Sequence, residues 1–215
     1  MTQSVALREI VAARHAARAP LHDEITVVLA GRPGAGKGTQ AELVASQMGL
    51  VHVSTGDLVR DEVARETTLG RALHSTLTAG RLVDDQTMLD LLARALDDIG
   101  PRRGVLLDGY PRTVSQSTAL DTLRPIDLVL ELDVPARRII ERLRARGRDD
   151  DTVAAIDARL HVYDVETRPM LRVFDARGAL VTISGDRAPE LVTADILGRL
   201  ATWRYAHRGA TPDRS

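Results

Sequence analysis

"GRPGAGKGTQ", residues 31–40, is the stretch on which the reading of this chain turns. It holds the only lysine: of 29 lysines and arginines, the other 28 are arginine. An apolar run, "ITVVLA" at 25–30, precedes it, and "GTQAELVASQM", with apolar residues at helical spacing, follows. A glycine-rich loop between a buried strand and a helix aims successive backbone N–H groups, and the positive end of the helix dipole, at one point. That point suits a phosphate. Gly31, Gly34 and Gly36 allow a close approach that a Cβ would block, and Pro33 stiffens the turn. Lys37 then reaches the β- and γ-phosphates as a compact, mobile charge, where a broad planar guanidinium would not fit. The bland alternative, a chance glycine turn with a solvated lysine, fails to explain the strand before, the helix after and the full spacing. One departure stands out. The usual pattern places Ser or Thr directly after the lysine, whereas here Gly38 intervenes before Thr39, so Mg²⁺ is expected to be held largely through waters.

Outward from this loop, short apolar runs alternate with helical patterns. The runs are "ITVVLA", "LVHV" (50–53), "GVLLD" (104–108), "DLVLELD" (127–133) and "ALVTI" (179–183). Most are continuous rather than alternating, as expected of a parallel sheet covered by helices on both faces. This predicts an α/β fold. Asp84 or Asp85, Thr113 and Asp151 are candidate helix N-caps, Pro135 fits a first helical turn, and Gly178 fits a turn before the last strand. The interval 55–83 reads as two short helices without a strand, an insertion on the core.

Composition excludes several classes. The 215-residue chain, 44% hydrophobic, can bury one substantial core. With no cysteine there is no disulfide framework, thiolate zinc site or cysteine nucleophile. A formal net charge of -1 gives no global field for nucleic acid or anionic membrane. No apolar run approaches the roughly 20 residues of a membrane span. Residues 1–22 lack a continuous apolar targeting core, and their Glu9 and scarcity of serine count against an organelle transit peptide. The expectation is a cytoplasmic protein with residues 1–22 as a peripheral or mobile extension. The six histidines show no metal-ligand spacing.

Taken in order, "GRPGAGKGTQ", "HVSTGDLVRDE", "GRLVDD", "LLDGYPRTVSQ" and "RDDDTVAAIDARLHVYDVETRPML" resemble the adenylate kinases, over about Ile25 to Leu200. The resemblance implies a P-loop three-layer α/β/α core with a five-stranded parallel sheet, assembled from 23–54, 84–145 and 152–205. It also implies a nucleoside-monophosphate-binding insertion at 55–83, a short lid at 146–151 and a disordered tail at 206–215. It implies a monomer that takes ATP, AMP, ADP and Mg²⁺, with no zinc and no nucleic-acid or membrane partner. By motif position, Gly34, Ala35, Gly36, Lys37, Gly38 and Thr39 would hold the triphosphate, with Arg142, Arg146, Gly185 and Arg187 also on the ATP side. Thr55, Gly56, Arg60, Leu82, Val83, Gly109, Arg112, Gln116, Arg148 and Arg159 would form the AMP side, Gln116 touching the adenine. Lys37, Arg112, Arg146, Arg148 and Arg159 would be catalytic, and Asp108 would order water around magnesium. Tyr110 stands where the family usually has phenylalanine.

The physics is consistent with that assignment. Two nucleotides bring about six or seven negative charges into one site, which a cluster of guanidiniums can neutralise. The attacking phosphate oxygen is already ionised near neutral pH, so no general base is needed. Arg137, Arg138 and Arg144 read instead as a solvated helix face. Asp149, Asp150 and Asp151 read either as a cap and lid hinge or as exposed charge. The few residues between the helices ending near Arg146 and starting near Thr152 leave no room for a small β-sheet lid. A UMP/CMP-type kinase shares the fold, but such relatives usually carry alanine at the position of Thr55 and asparagines in place of "TVSQ". A nucleotide switch or ATPase motor is the rival of another class. The chain lacks the guanine-reading "NKxD", and no glutamate follows Asp108.

Overall fold

The computed structural model describes residues 24–78, 83–101, 103–146 and 152–207. Residues 1–22, Leu82, Arg148, the run Asp149 to Asp151 and nearly all of the expected lid lie outside them. Five strands, β1 Thr26–Gly31, β2 Val51–Ser54, β3 Val105–Asp108, β4 Leu128–Asp133 and β5 Leu180–Ser184, form one parallel sheet in the order β2-β3-β1-β4-β5. Helices follow in chain order: α1 Lys37–Met48, α2 Thr55–Ala64, α3 Thr68–Thr78, α4 Asp85–Ile99, α5 Val114–Leu123 and α6 Ala136–Arg146. Then come α7 Val153–Val162, a π-helical turn Tyr163–Thr167, α8 Arg168–Ala176 and α9 Pro189–His207.

Strand residues alternate between the two faces, and each face has its own core. Val27, Leu29, Leu106, Leu128 and Leu130 pack with Ala41 and Val44 of α1, Ile139 and Leu143 of α6, and Ile196 and Leu200 of α9. On the other face Val28, Val105, Leu107 and Val129 meet Met88, Leu91 and Leu92 of α4, Leu120 of α5, and Met170 and Phe174 of α8. Both faces being apolar, the strands had to read as continuous runs rather than alternating ones. Because every strand is parallel, all five carboxyl ends, and the loops leaving them, converge on one edge. Ligands bind at such an edge, where the strand order reverses about β1.

Local chemistry sets the element ends. Asp84 caps α4 by accepting from Thr87 N at 2.9 Å, and Thr113 caps α5 by accepting from Gln116 N at 3.1 Å. Gly178 turns into β5 with φ +67°. Three expectations need correction. Thr152, not Asp151, caps α7, its hydroxyl accepting from Ala155 N at 3.2 Å. The long helical pattern at 151–170 is interrupted by the π-turn, which inserts an extra residue and turns Tyr163 inward, so that its hydroxyl donates to Glu131 Oε1 at 2.5 Å. The last helix continues to His207, two residues into the stretch expected to be disordered.

Candidate functional site

The loop after β1 can be built only from glycine at its key positions. Gly31 has φ +140°, and a Cβ there would lie 2.7 Å from Leu132 O, a backbone atom of the neighbouring strand. Gly34 has φ +83°, and its Cβ would meet Leu143 Cγ at 2.8 Å. Gly36, φ +94°, is the N-cap of α1 and supplies no side chain to its first N–H groups. Those donors are thereby left to a ligand at the positive end of the helix. Lys37 Nζ donates to Gly31 O at 2.9 Å and Arg32 O at 3.1 Å, which keeps the ammonium over the loop. Thr39 is exposed at the start of α1. Asp108, at the end of β3, comes alongside: its Oδ2 lies 3.6 Å from the place a Cβ on Gly38 would take.

Arg142 reaches the loop from α6 and donates to Ala35 O at 3.2 Å and to Gly185 O at 3.1 Å. One guanidinium thus ties the phosphate loop to the turn after β5. Gly185 has to be small, since a Cβ would lie 2.7 Å from Val134 Cγ2. The Arg187 side chain donates to Ser184 O and pairs with Asp195 at 2.8 Å on α9. Of the expected lid arginines, Arg146 ends α6 and only its backbone is described.

A second group of side chains gathers at the ends of β2 and β3. Ser54 caps α2, accepting from Asp57 N at 3.2 Å, and Thr55, buried, donates to Asp108 O at 3.2 Å. Gly109, φ +90°, leaves room that a Cβ would take from Thr55 Oγ1, at 2.7 Å, and Arg112 Nη2, at 3.3 Å. Arg112 Nε donates to Gly109 O at 2.6 Å. Burial lowers the pKa of this guanidinium; Asp108 partly counters the shift and the neighbouring charge of Arg159 adds to it. Arg159 is held on α7 by a bond from Nε to Ala155 O at 3.2 Å. Arg60 lies over Gly56 and pairs with Asp57 at 2.5 Å. Val83 is buried in the second core.

Gln116, expected to face an adenine, is 2% exposed and already engaged: Oε1 accepts from Arg112 N at 2.8 Å, and Nε2 donates to Asp85 Oδ1 at 2.9 Å. Tyr110 is buried in place of phenylalanine, and its hydroxyl donates to Gln116 O at 3.3 Å. The extra polar atom is therefore satisfied. Burial, with Asp85 nearby, pushes the Tyr110 phenol up to about 12.

Several residues escaped sequence reasoning. Asp85, weighed only as a cap, is a side-chain acceptor between helices. Gln40 latches α9, donating to Pro189 O at 3.0 Å and accepting from Thr193 Oγ1 at 2.8 Å. Arg32, inside the glycine-rich loop, lies over the Tyr163 ring with its Cζ 5.2 Å from the centroid, and pairs with Asp164 at 3.6 Å. Nothing in one-dimensional spacing joins positions 32 and 163; only the sheet does.

Residues 29–179 match the family model described as adenylate kinase. An adenylate kinase of Synechococcus sp. (strain CC9311) is 43% identical over 176 residues, covering 80% of this chain and 96% of that protein. One from Stenotrophomonas maltophilia (strain R551-3) is 38% identical over 183 residues, covering 81% and 98%, and one from Methanosarcina mazei is 34% identical, covering 82% and 99%. With the glycine-built loop, the paired arginines and the ordered motifs lying within that match, the chain belongs to the adenylate kinase family.

Proposed function

We propose that the chain transfers the γ-phosphoryl group of ATP directly to the phosphate of AMP, reversibly, giving two ADP. The observation that carries this reading is the setting of Arg112, a buried guanidinium that feels both the like charge of Arg159 and the carboxylate of Asp108, the latter beside a phosphate loop. Like charges held together in a partly desolvated place raise the free energy of the ligand-free protein, and anionic oxygens bound between them offset that cost. A second phosphate, facing the one on the loop, is the ligand such a pair fits.

In this reading the Gly34–Thr39 segment and Lys37 hold the β- and γ-phosphates, while Arg142 stands at the ATP nucleoside between the loop and Gly185. Arg112 holds the acceptor phosphate with Arg60, and Arg159 neutralises the group in transit with Arg146 and Arg148 of the lid. Thr55, Gly56, Leu82, Val83, Gly109 and Gln116 enclose the AMP. Catalysis is then alignment in a water-poor site and neutralisation of charge, not proton abstraction. Closure of the 55–83 insertion and of the short lid excludes water. The donor set suits Mg²⁺ arriving with ATP: Asp108 brings its carboxylate to the edge of the loop, and the hydroxyl-bearing Thr39 stands exposed at the start of α1. A hard ion that retains several waters and binds substrate phosphates fits such a place. When bound, it adds charge stabilisation at the phosphates. A monomeric, cytoplasmic protein is what the resemblance implies.

The test is ADP formation from Mg·ATP by the purified protein offered AMP, CMP, UMP, GMP or no acceptor, with Lys37→Ala as control. Turnover with AMP alone, lost in the control, is expected. A preference for CMP or UMP would overturn the assignment of the pocket, and acceptor-independent phosphate release would move the protein to the ATPases.

A further inference from the structure

Gln116 has four hydrogen-bonding capacities, two N–H groups and two lone pairs on oxygen. Which end of a carboxamide is which is decided by its neighbours. Here both neighbours have one polarity only: the Arg112 backbone N–H can only donate, and it meets Oε1; a carboxylate accepts, and Asp85 Oδ1 meets Nε2. Turning the carboxamide over would set N–H against N–H and oxygen against carboxylate. The second oxygen of Asp85 is also engaged, accepting from Ser115 Oγ at 2.7 Å, so the carboxylate spans the first turns of α4 and α5. Ser115 Oγ also lies 2.8 Å from Thr113 Oγ1, the α5 cap.

This leaves Gln116 with one lone pair and one N–H, in a fixed order. Adenine presents a 6-amino donor beside ring-nitrogen acceptors, matching that order. A 6-oxo purine, with a carbonyl oxygen and a protonated N1 on the same edge, needs the carboxamide reversed. We propose that Asp85 is a specificity-determining positioning residue: by holding Gln116 in one orientation, it makes the acceptor pocket select 6-amino over 6-oxo purine monophosphates. This rests on the reading above that Gln116 faces the base of the acceptor. Asp85 does not touch the substrate.

The discriminating probe is inosine monophosphate, which differs from AMP only at position 6 and N1 and adds no bulk. The measured quantity is the ratio of kcat/KM for AMP to that for inosine monophosphate, in the full-length wild type and in Asp85→Asn, Ser115→Ala and Gln116→Leu. Asparagine can turn either end toward Gln116 and so gives a reversed carboxamide a partner. The ratio is expected to fall about tenfold or more in Asp85→Asn, mainly through KM for AMP, an effect the size of one misplaced hydrogen bond. Ser115→Ala removes the other contact of Asp85 and loosens α4 against α5 without touching Gln116, so it should leave the ratio unchanged. Gln116→Leu should lose the discrimination as well. A ratio within twofold of wild type in Asp85→Asn, with Gln116→Leu reduced, overturns the role of Asp85 alone. An equal fall in Ser115→Ala overturns it too, since the effect would then be loosened packing. Unchanged ratios in both Asp85→Asn and Gln116→Leu remove its premise, whereas a wild type that does not use AMP at all refutes the proposed function itself.

Discussion

The glycine loop and the proposed acceptor pocket meet at Asp108, yet different contacts shape them. In the loop the backbone does the work: Gly31 and Gly34 take positive φ against a neighbouring carbonyl and Leu143, and Gly36 leaves the start of α1 uncovered. In the pocket the geometry belongs to side chains, Thr55 on Asp108 O, Arg112 on Gly109 O, and Gln116 between Arg112 N and Asp85. A backbone site tolerates almost no change at its glycines. A side-chain site can be retuned one bond at a time, which is where substrate choice belongs.

That contrast can be broken at several points. The largest effect is expected for Lys37→Ala, the lysine of the loop: kcat/KM should fall by about 10³-fold or more, with the folded state little affected. Steady-state kinetics beside a melting curve checks both halves. Gly31→Ala should instead damage the fold, by about 2–4 kcal/mol, because its new methyl meets an immovable strand carbonyl and its φ is costly for any L side chain. Denaturant unfolding reads this, and a stable, active Gly31→Ala would end the claim that the loop is backbone-determined. In the pocket, Thr55→Ala should raise KM for AMP about tenfold, leave KM for ATP unchanged and preserve the fold.

Smaller effects sharpen the boundary between site and scaffold. Asp84→Ala removes the α4 cap and should cost about 1 kcal/mol near neutral pH. The Thr87 N–H holds the Asp84 carboxyl below its ordinary value of 3.8. A carboxyl whose folded pKa is depressed stabilises the fold above its unfolded value and loses that contribution as pH falls through the folded one. The gap between wild type and Asp84→Ala should therefore be full at pH 6 and shrink on acidification below about 3.8, as read from unfolding at a series of pH values. Tyr110→Phe should change least, under about 1 kcal/mol, since it loses a single 3.3 Å bond and restores the usual ring.

Much of this was legible in the chain. The strands fall within a residue of their apolar runs, and Thr113 caps as its position before an apolar run suggests. The π-turn was invisible because its reason, the approach of Tyr163 to Glu131 on β4, lies across the sheet. The partner of Arg187 was equally invisible: Asp195, eight residues along and on α9, pairs with it.

The sequence by itself determined the phosphate loop and the sheet behind it. Glycine conformation, a lone lysine and apolar runs are properties of adjacent residues, and their physics is complete within a few positions. Only the tertiary structure decided what the side chains of the pocket offer a substrate. Arg142 meets Ala35, Arg112 nears Arg159, and Asp85 fixes Gln116 from 31 residues away. A hydrogen bond acts over about 3 Å, so its partner is set by whatever packing brings near, and not by the order of the chain.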